Sequence, residues 1–214
     1  MLTNIKACLF DMDGTLLNSM HIWKDIDIEF LARFGHELPP TLQREIEGKS
    51  FRETAIYIKD KFQIPLSIED IMDIWNEMAF QKYSEEIFFK EGAFQFIKVL
   101  KEKGIRTAIC TSNSRELVNA VAEHLGFMPY FDTVITSCEV GAGKPAPDIY
   151  LEAAKRVGVA PECCLVFEDI VTGLMAGKRA GMKLCAVDDE YSADQKEAKK
   201  AMADYYVENY LDLL

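Results

Sequence analysis

The sequence predicts an α/β protein, a doubly wound parallel sheet with a helical domain inserted after the first strand. Three observations carry this. Short apolar runs rich in strand formers alternate with helical stretches from residue 90 onward. The first run, Ile5 to Phe10, ends on Asp11 and Asp13 with Gly14 and Thr15 behind them. Buried parallel strands end in this way at the sheet edge where open α/β folds bind ligands. Residues 18–89 carry helical periodicity and no convincing strand. The expected division is a core of residues 1–17 and 90–214 with a helical insertion of residues 18–89.

Within the insertion, Ile22, Ile26, Phe30, Leu31 and Phe34 recur at near-helical spacing up to a stop at Gly35. Thr41 to Ile46 reads as a short helix. Ser50 caps another, with Glu53 three residues on completing a capping box. Ser67 and Asp70 open a long helix through Ile71, Ile74, Trp75, Met78 and Tyr83. Beyond it, a helix from Ala93 to Lys103 leads through Gly104 to a strand, Ile105 to Thr111. A helix from Ser114 to about Leu125 precedes the strand Thr133 to Thr136, and Pro147 starts the next helix at a favoured early position. Cys164 to Asp169 is a strand ending on two acids. The helix Gly173 to Ala180 precedes the strand Lys183 to Val187, and a terminal helix, Ser192 to Ala203, precedes an edge strand at Tyr205 to Val207. Repeated βα units imply right-handed crossovers.

Composition narrows the partners. With 24 basic and 35 acidic residues the net charge of the 214-residue chain is −11. That field disfavours nucleic acid and anionic membranes, and an anionic small substrate would need a local positive focus. Cysteines 8, 110, 138, 163, 164 and 185 show no paired metal-ligand spacing, and most sit in apolar runs as small hydrophobes. No apolar run is long enough to span a bilayer, and the first residues lack a secretory pattern. The expectation is a soluble, cytoplasmic protein.

Two strands therefore end in acid pairs, Asp11/Asp13 and Glu168/Asp169, and a parallel sheet puts both ends on one edge. Each pair has a plainer reading, as turn chemistry or as acids favoured at a helix N-terminus. Together they would repel unless a hard divalent cation such as Mg²⁺ sat among them, taking oxygen ligands and a substrate phosphate. A calcium loop is excluded, since Gly14 is the fourth residue from Asp11 and not the sixth. Thr111, Ser112 and Asn113 offer a hydroxyl and backbone N–H groups at a helix start, which suits an anion or plain capping. Lys144 stands in a loop between glycines and Pro145. Neither Gly-Lys pair makes a phosphate-binding loop of the Walker type, because Gln43 and Cys138 occupy the required first-glycine positions.

Asp11-x-Asp13-Gly-Thr15, Thr111 after its strand, Lys144-Pro145 and Glu168-Asp169, in this order, resemble the four motifs of the haloacid dehalogenase-like hydrolases. The insertion after the first motif is similar to the helical cap of the β-phosphoglucomutase-like subgroup. The resemblance covers the whole chain. It implies a Rossmann-like core with a helical cap domain, and a Mg²⁺-dependent phosphatase acting on a small phosphorylated metabolite. Asp11 would be the nucleophile and Asp13 the general acid and base. Thr111, with the Ser112 and Asn113 amides, would hold the phosphoryl oxygens, and Lys144 would neutralise charge. Mg²⁺ would be held by Asp11, the Asp13 carbonyl, Asp169 and Glu168, the last through water.

Uncatalysed phosphate monoester hydrolysis is slow enough to call for acceleration up to ~10²¹-fold, and a carboxylate nucleophile divides the reaction into two easier steps. Asp13 argues against carbon–halogen and phosphonate cleavage, since family members with those activities lack the second acid. A sugar-phosphate mutase on the same machinery is the alternative, and a non-catalytic phosphometabolite-binding protein a third reading. For the cap, His21, Lys49 and Arg52 are the candidate substrate ligands, with solvated surface positions as the plainer reading of each.

Overall fold

The computed structural model describes residues 1–214. Strand β1 (Ala7–Phe10) is buried at every position, as its unbroken apolar sequence requires. Its residues alternate between the sheet's two apolar layers. Cys8 and Phe10 join one, where Phe10 stacks on Phe167 at 4.6 Å between ring centroids; Ala7 and Leu9 join the other, with Ile149 and Leu174. Four helices follow: α1 (Met20–Ala32), α2 (Leu42–Ile46), α3 (Phe51–Phe62) and α4 (Ile68–Glu85). The capping boxes of α3 and α4 are both formed, Ser50 with Glu53 and Ser67 with Asp70. Leu17 bridges to Phe89, so the chain leaves the sheet and returns to it at adjacent points.

The remainder alternates: α5 (Ala93–Glu102), β2 (Arg106–Thr111), α6 (Arg115–Leu125), β3 (Thr133–Thr136), α7 (Ser137–Val140), α8 (Asp148–Val157), β4 (Cys164–Glu168), α9 (Val171–Arg179), β5 (Lys183–Val187), α10 (Lys196–Met202) and β6 (Tyr205–Val207). The sheet order is β3-β2-β1-β4-β5-β6, and every pairing is parallel. The expected α/β class and doubly wound sheet are thus borne out. The chain order reverses across β1 and β4, whose carboxyl ends carry the two acid pairs and open the crevice. No helix is long and apolar enough to cross a membrane.

Three local expectations differ from the structure. The terminal helix does not run unbroken from Ser192: a 3-10 turn (Glu190–Gln195) precedes α10, and Ser192 is non-helical at φ −120°, ψ 20°. The Ser192 hydroxyl is instead donated to the Asp169 carbonyl oxygen at 2.7 Å. Helix α9 begins at Val171, two residues before the expected start, immediately behind the Glu168-Asp169 pair. The single turn α7 is additional; a capping box between Thr136 and Glu139 supports it.

Candidate active site

Asp11 extends β1 by one residue, its N–H donated to the Phe167 carbonyl at 3.0 Å. The Lys144 ammonium sits 2.5 Å from Asp11 Oδ1 and 2.5 Å from Glu168 Oε1. Lys144 is 4% exposed and Glu168 0%, so three charges meet with almost no water. The Tyr150 hydroxyl also donates to Glu168 Oε1 at 2.5 Å, and Thr15 donates to Asp169 Oδ1 at 2.9 Å. One carboxylate oxygen from each of Asp11, Glu168 and Asp169 lies within 4.8 Å of the others.

Burial, with Glu168 and Asp169 beside it, holds the Asp11 carboxyl above its ordinary range despite Lys144. Burial and the neighbouring Glu168 push Asp169 up to about 7. Burial opposes the charge of Lys144, but Asp11 and Glu168 overcome it and raise the ammonium above its usual value. Three acids against one base leave negative charge uncompensated. The site fits a hard divalent cation on its own evidence. All donors are oxygens, and Glu168 Oε2 is buried with no hydrogen-bond partner. Glycine is required on either side: a Cβ at Gly14 (φ +81°) would overlap the Asp169 carboxylate, and one at Gly173 the Glu168 carboxylate.

Asp13 stands outside this cluster. Its Oδ1 accepts from Ser19 Oγ at 2.7 Å and from Tyr83 Oη at 2.5 Å, and its Oδ2 accepts from Asn113 Nδ2 at 3.0 Å. Trp23 Nε1 (2.7 Å) and Asn113 Nδ2 (3.1 Å) both donate to Tyr83 Oη. With both lone pairs engaged, the phenol's single proton is directed at Asp13. Burial raises the Asp13 carboxyl, and these three donors oppose that. The sequence places Tyr83 on the helix opened by Ser67 and Asp70 but does not mark this contact, because a tyrosine at helical spacing carries no sign of what its hydroxyl meets.

The remaining expected site residues are placed as follows. Thr111 is buried at the end of β2, and its hydroxyl oxygen accepts from Asn113 N–H at 3.0 Å, leaving its own proton free. Ser112 Oγ lies 3.4 Å from Ser137 Oγ. With Asp11, Asp13, Lys144 and Asp169, these residues floor a cavity of about 240 Å³. Lys49 lines that cavity too, its ammonium 5.5 Å from the Tyr57 ring centre. Arg52 does not: its guanidinium points outward to Glu69 at 2.9 Å, since α3 turns position 52 to solvent. His21 is exposed on α1 and away from the cavity wall.

The helical segment closes over this floor. Phe51 N–H is donated to the Ser112 carbonyl at 3.0 Å, and Gln195 and Thr172 donate to the Glu47 carboxylate. Gly48 lies against the backbone of Lys144: a Cβ there would stand 2.7 Å from its carbonyl oxygen.

Asp13 and Tyr83 yield one expectation. Tyr83→Phe should lower kcat/KM about 10-fold on alkyl phosphates. It should lower it less on p-nitrophenyl phosphate, whose leaving group needs little protonation. Parallel kinetics on the two substrates check this, and equal losses would reduce Tyr83 to a structural role.

Residues 5–181 match the family model described as haloacid dehalogenase-like hydrolase. The bifunctional riboflavin kinase/FMN phosphatase of Arabidopsis thaliana is 33% identical over 99% of this chain, which spans 55% of that protein's length. The phosphorylated carbohydrates phosphatase of Thermotoga maritima is 29% identical over 84% of this chain and 83% of its own. Among solved structures, CbbY from Rhodobacter sphaeroides in complex with phosphate superposes with a TM-score of 0.87 at 28% identity, covering 98% of this chain and 96% of that one. The chain belongs to the haloacid dehalogenase-like hydrolases.

Proposed function

We propose that this hydrolase is a Mg²⁺-dependent phosphatase acting on a small phosphorylated metabolite through an aspartyl-phosphate. The observation that carries the reading is the division of labour among the carboxylates: Asp11 in the Lys144 cluster, and Asp13 two residues on, held apart by Ser19, Tyr83 and Asn113. Asp11 attacks phosphorus, and the leaving oxygen takes a proton from Asp13. Asp13 then takes a proton from water, which attacks the same phosphorus, releasing inorganic phosphate and the Asp11 carboxylate. The Lys144 ammonium, the Thr111 hydroxyl and the Ser112 amide receive the charge on the phosphoryl oxygens, while the Asn113 N–H, expected to join them, is given to Thr111 Oγ1. Asp11, Glu168 and Asp169, with the Asp13 carbonyl, would hold Mg²⁺, which would neutralise phosphate charge. The helical insertion, residues 18–89, acts as a cap over the core of residues 1–17 and 90–214, with Lys49 near the substrate. All six cysteines are free, which suits a reducing compartment, and a cytoplasmic location is part of the proposal.

Release of p-nitrophenol from p-nitrophenyl phosphate, dependent on Mg²⁺, tests the reading. No release with any divalent metal would favour a non-catalytic binding protein. Asp169→Asn should raise the Mg²⁺ concentration needed for half-maximal rate by at least ~10-fold, with saturating Mg²⁺ restoring part of the activity. A metal titration of that variant checks it.

A sugar-phosphate mutase would use the same floor but grip a second anion at the roof. Of the cations there, Arg44 is paired with Asp194, the Lys49 ammonium rests over Tyr57, and Lys24 lines the cavity without an ion-pair partner. Incubation with β-glucose 1-phosphate, Mg²⁺ and a trace of glucose 1,6-bisphosphate tests this alternative. Sustained formation of glucose 6-phosphate with little inorganic phosphate would overturn hydrolysis in favour of the mutase.

A further inference from the structure

The roof of the cavity carries a buried carboxylate that the hydrolytic chemistry does not use. Trp23, Phe51 and Trp75 form an aromatic wall, with ring centres 5.9 Å apart for Trp23–Phe51 and 5.6 Å for Phe51–Trp75. Asp27 lies one helical turn beyond Trp23 on α1, on the same face, and lines the same cavity. It is 7% exposed. Gln43 Nε2 donates to its Oδ2 at 2.6 Å, and this is its one side-chain partner. No lysine or arginine pairs with it and no donor reaches Oδ1, and Asp27 lines the cavity. A largely buried carboxylate with a single side-chain partner gains from a further donor that a ligand brings.

We propose that Asp27 is a specificity-determining residue: its Oδ1 accepts a hydrogen bond from a hydroxyl or ring N–H on the leaving group, which packs against Trp23, Phe51 and Trp75. The substrate class is then the phosphate monoester of a neutral, donor-bearing alcohol, a sugar or a nucleoside. A second phosphate or carboxylate set directly against Asp27 is disfavoured, because it would meet a like charge once that carboxyl, which burial raises to about 7, is ionised. This assignment rests on the phosphatase reading above.

The test compares wild type, Asp27→Ala and Asp27→Asn on p-nitrophenyl phosphate, sugar monophosphates, nucleoside 5′-monophosphates, phosphoglycolate and fructose 1,6-bisphosphate. Asp27→Asn can still accept from Gln43 while presenting a donor where Oδ1 accepted, so the link to α2 survives. Wild type should prefer a sugar or nucleoside monophosphate, and which of the two responds identifies the source. On that substrate both variants should lose about 10- to 100-fold more kcat/KM than on p-nitrophenyl phosphate, mainly through KM. Asp27→Asn should also narrow the discrimination against the two anionic substrates. Equal losses on all substrates, or a wild-type preference for phosphoglycolate or the bisphosphate, would overturn the assignment. Failure of wild type to release phosphate from p-nitrophenyl phosphate would overturn the phosphatase reading itself, and the assignment with it.

Discussion

Asp11→Asn is expected to lower turnover by about 10⁴-fold or more while leaving the metal-free protein as stable as wild type or more so. The activity loss follows because an amide cannot form the acyl-phosphate and no neighbouring carboxylate reaches the same position. The stability expectation follows from the charges around it. Asp11, Glu168 and Asp169 face one Lys144, and Asp11 titrates above its ordinary value through burial and the neighbouring acids. A carboxyl with a raised folded-state pKa leaves stability intact below its unfolded pKa and lowers it as pH rises through the folded value. At neutral pH, removing that charge relieves the cluster, and Lys144 keeps Glu168 as a partner at 2.5 Å. Melting temperatures in EDTA at pH 7.5 and single-turnover rates measure the two parts. A variant that keeps substantial activity, free of wild-type contamination, would remove Asp11 from the nucleophile's role.

Lys144→Met should have the opposite effect on stability. The ammonium is buried and bonded to both Asp11 and Glu168, so its loss leaves carboxylates uncompensated in a dry site. Removing one partner of a buried ion pair typically costs about 3–5 kcal/mol. In metal-free buffer the variant should unfold at a much lower denaturant midpoint, and Mg²⁺ should recover part of the difference by binding only the folded form. Activity should fall about 10³-fold even with Mg²⁺, because the charge on the phosphoryl oxygens loses a fixed partner. Denaturant melts with and without Mg²⁺ check this. A variant as stable as wild type in EDTA would mean that the cluster is balanced without Lys144.

The two variants differ in sign although their side chains touch, because one removes an excess charge and the other the compensating one. Sequence reasoning anticipated negative charge at this edge from two acid pairs. How it is compensated depends on distances that spacing does not encode.

The amino-acid sequence by itself determined the α/β class, the order of the strands and of every helix but α7, and the strand ends on which Asp11, Thr111 and Glu168 stand. Apolar runs dictate buried strands, and parallel pairing forces their carboxyl ends onto one edge. The capping boxes of α3 and α4 were equally legible, since they are closed within four residues. Tertiary structure alone decided what crosses between the helical segment and the sheet. Tyr83 on α4 meets Asp13 across 70 positions, and Glu47 meets Gln195 across 148. Arg52 shows the same limit from the other side: it looks like an anion ligand in the chain, yet the rotation of α3 gives it to Glu69. Ser192 leaves a helix it could have joined because the Asp169 carbonyl lies within reach of its hydroxyl. Periodicity records which face of an element is apolar. Which polar atom a buried side chain meets is set by how elements pack, and that information is not local.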